Sequence, residues 1–134
     1  MSAVPKLRHN RNVVFACHHH VVWCVKYRCP ILKDGIAACL KKLLHVGCHK
    51  RHATIIELDV MPDHVHLLVS IDPQFGIHRL IKYLKGATSH TLRHQFKVCR
   101  TRVNTLWTNS YFVATVGGAP LKIVKEYIEN QKHV

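Results

Sequence analysis

The stretch Met61-Pro62-Asp63-His64-Val65-His66-Leu67-Leu68 sets the organisation of the chain. Side chains of a strand alternate between its two faces, so His64 and His66 are expected on one face, with Cα atoms roughly 6.6 Å apart. Two imidazoles at that spacing can converge on one metal ion or one phosphate group. A half-buried strand whose histidines have no partner shows the same pattern, so the rest of the chain must decide. The opposite face is apolar and suits a core, with Val65, Leu67 and Val69.

The segment before this stretch is predicted to contain a long strand and a helix. Val13 to Tyr27 is rich in β-branched and aromatic residues, which favour a strand. In that strand His18 and His20 share one face and His19 lies on the other, so the histidine triplet is not a ready-made metal site. Polar contacts near a strand end are the preferred interpretation of the triplet. Apolar residues at helical spacing then predict a helix from Ile36 to about His49.

The chain on either side of the HxH stretch also alternates between predicted strands and helices. The strand predicted over 54–60 presents two alternating sets of side chains, Ile55, Glu57 and Asp59 against Ile56, Leu58 and Val60. A helix is predicted from Phe75 to about Phe96, with a buried side made of Ile77, Leu80, Ile81, Leu84, Ala87 and Leu92. Arg100 to Asn104 is predicted to be a basic connector. Residues 106–116 begin as loop and end as strand, and Pro120 suits the first position of a last helix that runs to about His133.

The order of these elements, β-α-β-β-α-β followed by one helix, is that of a ferredoxin-like fold. The chain is therefore predicted to be an α+β protein with a four-stranded antiparallel sheet, helices on one face and an additional C-terminal helix. Its 134 residues suit one domain, 1–134, with residues 1–12 as a mobile basic arm and residues 120–133 as the last helix. The second and third strands form a hairpin, with His64 near the start of the return strand.

The charge of the chain indicates a polyanionic partner. Lys and Arg number 20 against 7 Asp and Glu, which gives a formal net charge of +13. Such an excess repels itself unless a polyanion relieves it, and nucleic acid is the first candidate. An anionic membrane surface is the second. The longest charge-free stretch, Asn12 to Val25, is too short to span a bilayer, and no targeting segment is recognisable, so a membrane role is not expected.

The spacing of the cysteines indicates the redox compartment of the protein, and the phosphate-binding motifs indicate whether it binds a nucleotide. None of the six cysteines belongs to a CxxC pair, so they are expected to be reduced thiols in the cytoplasm. The sequence contains no GxxxxGK[ST] phosphate-binding loop, so no nucleotide cofactor is expected.

The last helix carries Tyr127 and Gln131 four residues apart, and therefore on one face, one turn from each other. Tyr127 is offset by about 100° from Ile128, so it flanks the apolar stripe of the helix. A tyrosine in this place is either an aromatic at the edge of the core or a catalytic group, and the helix alone leaves both open. Gly117-Gly118, just ahead of the helix, can absorb a large change in backbone direction.

Four segments together resemble the single-tyrosine HUH transposases of small bacterial insertion sequences and their REP-associated relatives, where HUH denotes histidine, hydrophobic residue, histidine. The likeness covers about Val13 to Gln131, and the combination in this order and spacing is far more specific than the HUH motif alone. The segments are His20–Arg28, the MPDHVHLL stretch 61–68, the LWTNSYF stretch 106–112, and the helix Val124–Gln131.

This resemblance implies roles for four residues. His64 and His66 match the metal-binding histidines, Gln131 the third metal ligand and Tyr127 the nucleophile. The implied activity is metal-dependent cleavage and rejoining of single-stranded DNA beside hairpins, through a 5′-phosphotyrosine link. A homodimer with composite sites is also implied, in which the histidines of one subunit meet the tyrosine helix of the other. The hard oxygen ligand favours Mg²⁺ or Mn²⁺ as the cofactor, the imidazoles favour Mn²⁺ of the two, and Zn²⁺ is also compatible with the ligand types.

Further side chains are predicted to contact DNA. Trp107 and Tyr111 are candidates for stacking on unpaired bases. Candidates for the phosphate backbone are Lys26, Arg28, Lys82, Lys85 and Arg93. The alternatives are a domesticated relative that processes palindromes, a non-catalytic nucleic-acid-binding module, and a metal phosphoesterase without a covalent intermediate. The binding module explains the charge but not the joint presence of the histidine pair and the tyrosine helix.

Overall fold

Six strands and four α-helices make up the part of the chain that the computed structural model describes, residues 7–115 and 121–134. The strands are β1 Arg8–His9, β2 Val14–Phe15, β3 His18–Cys24, β4 Thr54–Val60, β5 His64–Ser70 and β6 Phe112–Thr115. The helices are α1 Asp34–Lys50, α2 Ile77–Gln95, α3 Val98–Thr101 and α4 Leu121–Glu129, with short 3-10 helices at Lys26–Arg28 and Asn130–His133. The predicted hinge Gly117-Gly118 and the predicted helix start Pro120 lie outside the described residues.

Strands β3 to β6 form one antiparallel sheet in the spatial order β4-β5-β3-β6. With α1 and α2 as the two crossover connections, this is a ferredoxin-like sheet, and the predicted fold class is confirmed. The central strands β3 and β5 pair from His18 opposite Ser70 to Cys24 opposite His64. The HxH stretch is thus a central strand, and the burial of one face specifies its register.

One face of the sheet packs against α1 and α2 and holds the main core. The predicted alternation of β5 is confirmed, because Val65, Leu67 and Val69 are fully buried on this face. The two helices pack tightly at Gly47, where a Cβ would lie 2.7 Å from Cδ2 of Leu84. This contact explains a glycine within α1, although glycine costs about 1 kcal/mol relative to alanine in a helix.

The strand predicted from Val13 to Tyr27 is interrupted in the structure. Val14–Phe15 pairs with Arg8–His9 in a separate hairpin, and β3 covers only His18–Cys24. The strand cannot continue through Tyr27 and Arg28, because their φ angles of 57° and 53° lie in the left-handed region. Residue propensities give no sign of this turn, since neither residue is one that usually adopts positive φ.

Residues 7–12 belong to this hairpin, so the prediction of a mobile arm over residues 1–12 is wrong for that part. The Arg8 guanidinium donates to the carbonyl and hydroxyl of Ser70 at 3.0 and 2.8 Å. The side-chain oxygen of Asn10 accepts the backbone N–H groups of Asn12 and Val13, each at 2.7 Å, which closes the turn. The basic segment is therefore fastened to the end of β5. Residues 1–6 lie outside the described part.

Strand β4 carries a bulge that the predicted alternation did not include. Ile55 pairs with Val69 and Glu57 with Leu68, so Ile56 has no partner in the register. As a result Ile55 packs against the core together with the other apolar residues of the strand, whereas strict alternation predicted it on the face of the acidic ones.

Two details on the C-terminal side also differ from prediction. Ala87 is exposed, and Thr88 takes the buried position, with its hydroxyl donating to the Leu84 carbonyl at 2.7 Å. The predicted connector Arg100–Asn104 is partly helical, because α3 extends to Thr101.

Helix α4 lies against the face of the sheet opposite α1 and α2. It is followed by a 3-10 turn, so the predicted last helix is α-helical only as far as Glu129. All six cysteines are free thiols, as predicted. Within residues 7–115 and 121–134, no helix combines the length and apolar character that crossing a bilayer requires.

Candidate active site

A cavity of about 540 Å³ lies between α4 and the sheet face opposite the main core. This volume is within the roughly 300–1,000 Å³ that ligand sites occupy in proteins. The predicted pair His64 and His66 therefore shares a face and borders this cavity. The lining residues are His20, Val22, Asp59, Met61, His64, His66, Phe112 and Ala114 beside Val124, Lys125 and Ile128 of α4.

His64 is held by the carboxylate that precedes it in the chain. Its Nδ1 lies 2.7 Å from Oδ1 of Asp63, and the other carboxylate oxygen accepts Nε of Arg28 at 2.9 Å. Burial acts to raise the pKa of Asp63, but hydrogen bonds from His64 and Arg28 outweigh it, so the pKa is lowered. An ionised carboxylate only accepts hydrogen bonds, so Nδ1 of His64 is the donor and Nε2 keeps its lone pair for a ligand.

His66 stacks on a third histidine that lines the cavity. The rings of His66 and His20 are 5.6 Å apart between centroids and inclined by 10°. Burial lowers the pKa of His66, and the neighbouring His20 lowers it further. The imidazole of His66 is therefore neutral at physiological pH, which is the form that binds metals.

Tyr127 is half-buried but is not among the residues that line the cavity. Its hydroxyl lies 2.7 Å from Oγ of Ser110, and its ring is 5.7 Å from that of Phe112. Burial raises the pKa of Tyr127, and the hydrogen bond with Ser110 offsets part of this effect. In this placement the phenol is protonated and faces the 108–111 loop.

Gln131 is buried and shares the hydroxyl of Ser110 with Tyr127. The hydroxyl of Ser110 lies a long 3.4 Å from Oε1 of Gln131, and it is much closer to the hydroxyl of Tyr127, where either group is able to donate. The predicted nucleophile and the predicted third ligand are thus brought together, on one side of α4. The histidine pair borders the cavity beside them, and Phe112, which packs on the Tyr127 ring, also lines that cavity.

His64, His66 and Gln131 fit a divalent metal by donor type, although Gln131 does not line the cavity. Among the residues that the structure describes, no group of three or more His, Cys, Asp or Glu side chains could hold a metal ion. A metal bound by His64 and His66 therefore needs a ligand of another kind, and the amide oxygen of Gln131 is one. Two imidazoles and an oxygen leave coordination positions for phosphate oxygens, a set that suits Mg²⁺ or Mn²⁺.

Three of the side chains predicted to contact DNA are engaged with the protein itself in this structure. Trp107 is only 6% exposed, packs edge-on against Trp23, and donates its Nε1 to the hydroxyl of Thr88 at 3.1 Å. Lys85 is half-buried and donates to the carbonyls of Thr108 and Ser110 at 2.6 and 3.0 Å. Its burial lowers its pKa to about 8.

Arg93 is the third of these side chains, and the other predicted DNA contacts differ in their surroundings. It donates to the carbonyls of Cys99 and Val103, both at 3.0 Å, and so holds α3 and the chain that follows it. Arg28 is an ion-pair partner of Asp63. Lys26 lies over the ring of Tyr27, 5.1 Å from its centroid. Lys82 is exposed, beside Arg51 and Arg79, and is still a candidate for phosphate contact.

Sequence reasoning missed the contributions of His20, Ser110 and Asp63. His20 could have been found, because the ferredoxin-like strand order places the first strand beside the HxH strand. The alternation of β3 places His20 on the face that it occupies in the structure, which is the face of His66. Ser110 and Asp63 gave no such signal, since their contacts depend on loop geometry.

Comparison with known proteins gives the family. Residues 13–131 match the family model described as "Transposase IS200 like". The chain belongs to the IS200-like transposase family. It is 34% identical over 128 residues to the ISDra2 transposase TnpA of Deinococcus radiodurans, covering 94% of this chain and 91% of that protein. It is 30% identical over 133 residues to the transposase of insertion sequence IS200 from Salmonella typhimurium, covering 98% and 85%.

Solved structures agree with this family assignment. A crystal structure of a candidate transposase from Deinococcus radiodurans superposes with a TM-score of 0.84 at 32% identity, over 95% of this chain and 99% of that one. A REP-associated tyrosine transposase bound to a REP hairpin shares the fold, with a TM-score of 0.60 at 11% identity over 91% and 68%. The predicted resemblance is therefore confirmed. This IS200-like chain is a transposase, of a class of enzymes that cut and rejoin DNA.

Proposed function

We propose that this transposase cleaves single-stranded DNA beside a hairpin through a covalent 5′-phosphotyrosine link at Tyr127. The observation that carries the proposal is the cavity bordered jointly by His64, His66 and the helix of Tyr127. The membership of the IS200-like family supports the DNA-cutting part of the proposal. The hairpin is supported by the fold shared with a REP-associated tyrosine transposase whose structure is bound to a REP hairpin.

The chemistry of a phenol nucleophile explains why the site needs a cationic centre. A free tyrosine has a pKa near 10, so forming phenolate at pH 7 costs roughly 4 kcal/mol. The cost is higher for Tyr127, because burial raises its pKa. We propose that His64, His66 and Gln131 hold Mg²⁺ or Mn²⁺. When bound, such an ion polarises the phosphoryl oxygens and stabilises charge at the scissile phosphate.

Bond exchange explains why no nucleotide cofactor is proposed. Attack by the Tyr127 oxygen on phosphorus forms a phosphotyrosine bond and breaks the bond to the 3′ oxygen. The phenol gives up a proton, and the departing 3′ oxygen takes one up to become a free 3′-OH. One phosphodiester is exchanged for another, so a 3′-OH can later reverse the step and join new ends. Each cut therefore retains the means to rejoin.

The site requires a rearrangement before the proposed reaction, because Tyr127 is bonded to Ser110 and does not line the cavity. We propose that the active form is a homodimer in which the tyrosine helix of one subunit serves the histidine pair of the other. The sequence Gly117-Gly118 ahead of α4 supports this, because glycines absorb large backbone changes. Val124 and Ile128, the apolar residues of α4 that border the cavity, are also only half-buried.

Covalent capture tests the cleavage proposal. Tyr127→Phe should bind a single-stranded hairpin substrate but form no SDS-resistant adduct in Mn²⁺ or Mg²⁺. Tyr111→Phe is the matched control, because Tyr111 lies in the adjacent loop and its hydroxyl contacts His78 at 3.0 Å. This control should form the adduct at the wild-type level. An adduct that survives Tyr127→Phe would rule out this nucleophile, and a wild type that only binds DNA would indicate a binding module.

Mixing two inactive proteins tests the composite site. One carries His64→Ala with His66→Ala, and the other carries Tyr127→Phe. If sites are shared between subunits, each mixed dimer contains one intact site and cleavage returns. If each subunit builds its own site, every site keeps a lesion and cleavage stays absent. A tagged pull-down must first demonstrate that the two proteins exchange subunits.

A further inference from the structure

We infer that Arg28 and Asp63 act as a positioning pair, which orients His64 toward the cavity and links it to the end of the tyrosine helix through Glu129. The inference rests on the proposed function, because it assigns the pair a role in preparing a ligand of the proposed metal. Arg28 and Asp63 themselves lie outside the histidine motif and outside the tyrosine helix.

One carboxylate connects the two partners. Oδ2 of Asp63 accepts Nε of Arg28 at 2.9 Å, while Oδ1 accepts Nδ1 of His64 at 2.7 Å. The three side chains are sheltered, with exposed fractions of 21% for Arg28, 17% for Asp63 and 18% for His64. Charge-assisted hydrogen bonds in sheltered places are shorter and stronger than neutral ones. The imidazole is therefore fixed in one tautomer and one ring orientation.

The backbone at Arg28 is in a conformation that is costly for its residue types. Tyr27 and Arg28 both have positive φ, 57° and 53°. Non-glycine residues held in the left-handed region cost on the order of 1–3 kcal/mol each, and they persist where the surroundings impose them. Here the N–H of Val25 donates to the Asp63 carbonyl at 2.9 Å, and the N–H of Lys26 donates to the Leu106 carbonyl at 2.8 Å.

These backbone bonds explain how the turn reaches its target. They attach the segment after β3 both to the residue before His64 and to the LWTNSYF stretch. The left-handed turn then directs the guanidinium back toward the carboxylate. A regular continuation of β3 would carry position 28 away from Asp63. The strained geometry therefore serves the contact between Arg28 and Asp63.

The second contact of Arg28 reaches the tyrosine helix. Its Nη1 lies 3.2 Å from Oε2 of Glu129, which is two residues after Tyr127 and two before Gln131. Glu129 also accepts Nζ of Lys132 at 2.8 Å and is 64% exposed, so its pair with Arg28 is a weak, screened contact. This contact depends on where α4 lies, whereas the contact with Asp63 does not. A single guanidinium thus touches the support of the histidine pair and the element that carries the nucleophile.

Lysine cannot replace arginine in this arrangement. A guanidinium presents several N–H donors in a fixed plane and can bind two carboxylates at once, whereas an ammonium is a compact point charge. We therefore expect Arg28→Lys to preserve the charge but to lose one of the two contacts.

Nitrogen NMR of the metal-free protein tests the orientation of His64. In the wild type Nδ1 should carry the proton. Asp63→Ala should shift His64 toward the Nε2–H tautomer, and Arg28→Ala should leave the ring with a mixture of both forms. Glu129→Gln is the control, because it alters only the helix contact and should keep the wild-type tautomer. If Asp63→Ala keeps the wild-type tautomer, the pair does not orient His64 and the inference is wrong.

Metal binding provides the second readout. Loss of an outer hydrogen-bond partner typically weakens metal affinity by about 10–100-fold. Asp63→Ala should weaken Mn²⁺ binding, followed by electron paramagnetic resonance, within this range, and Arg28→Lys should weaken it less. Asp63→Asn is measured in parallel because its shape is conserved, and it should also weaken binding, since one amide oxygen cannot serve both partners. Equal affinity in wild type and Asp63→Asn would overturn the inference.

The outcomes separate this inference from the proposed function. If Tyr127→Phe still forms an adduct, the proposed nucleophile is wrong. The tautomer of His64 in the metal-free protein still tests whether Arg28 and Asp63 orient that histidine. If the wild type binds no Mn²⁺, the proposed metal is wrong, and the NMR result again decides about Arg28 and Asp63.

Discussion

The two faces of the central sheet are built from neighbouring residues of the same strands. Toward α1 and α2, β3 and β5 present side chains that are fully buried, among them Trp23, Val65 and Leu67. Toward α4 the next residues along are His20, His64 and His66, which are only partly buried and border a cavity. A shift of one residue therefore separates the side chains that hold the fold from those that face the proposed substrate.

The difference indicates that stability and chemistry are divided between the faces. The core face contains tightly packed apolar groups and close helix contacts, so changes there affect the free energy of unfolding. The cavity face has polar groups, titratable groups and a covering helix whose contacts are partly exposed. Changes there should affect reaction more than folding.

The largest expected effect comes from substituting two adjacent residues, one on each face of the sheet. His66→Ala should reduce adduct formation by more than about 100-fold, since losing a metal ligand exceeds the roughly 10–100-fold effect of losing an outer partner. Leu67→Ala should instead lower the free energy of unfolding by about 2–5 kcal/mol, through a cavity in the core. Adduct assays and urea denaturation of both variants make the comparison. Similar destabilisation in both variants, with cleavage retained by His66→Ala, would contradict the division of the faces.

A smaller effect concerns packing within the core layer. Gly47→Ala should destabilise the protein, because its Cβ would meet Leu84 at 2.7 Å, and overpacking of this kind costs about 1–3 kcal/mol. Gly86→Ala in α2 is the control, because a Cβ there meets nothing within 4 Å. That variant should gain up to about 1 kcal/mol from helix propensity. Chemical denaturation measures both, and stabilisation by Gly47→Ala would show that the helices separate without cost.

The next prediction asks where the DNA backbone lies. About six phosphate contacts would weaken binding on the order of 10³-fold between 50 and 200 mM salt. Lys82→Ala should lower the slope of log affinity against log salt by about 1, as expected for one lost phosphate contact. Arg93→Ala should leave that slope unchanged and lower the stability of α3, because its guanidinium binds backbone carbonyls. Fluorescence anisotropy over a salt series distinguishes the two variants. A wild-type affinity for DNA that does not change with salt would refute binding through the positive charge.

The smallest predicted effect is a pH dependence at Lys85. Burial lowers its pKa in the folded state to about 8, against 10.5 when unperturbed. Between these values the unfolded chain binds more protons than the folded one, so the contribution of Lys85 to stability rises with pH over this window. Below pH 8 the contribution is constant. The difference in unfolding free energy between wild type and Lys85→Met should therefore shift in favour of wild type from pH 8 to 10.5. A constant difference would show that the pKa of Lys85 is not lowered.

The elements that sequence patterns predicted well are those with a strong period. The alternation of β5 and the apolar spacing of α1 and α2 reflect burial of one face, which sequence records directly. The order of these elements then limits the topology to few solutions, and the ferredoxin-like sheet is one of them. The pair His64 and His66 followed from the same alternation.

The parts that the sequence could not predict depend on single contacts. The left-handed turn at Tyr27 and Arg28 has no glycine or asparagine to mark it. Lys85, Arg93 and Trp107 are residue types that often bind DNA, and only their actual partners show that they support backbone carbonyls or the core. Charge and residue type predict affinity for a polyanion, but they do not identify which side chains are free to bind one.

The bulge at Ile56 keeps the two sides of β4 in phase with β5. If pairing continued without it from Ile55 opposite Val69, Glu57 would fall opposite Leu67 and point into the core. The additional residue delays the strand by one step, so that Leu58 meets Leu67 and Asp59 meets His66. The unpaired Ile56 thus keeps the acidic side chains of β4 on the cavity face and its paired apolar side chains on the core face. The carboxylate of Asp59 lies beside the histidine pair because of this additional residue.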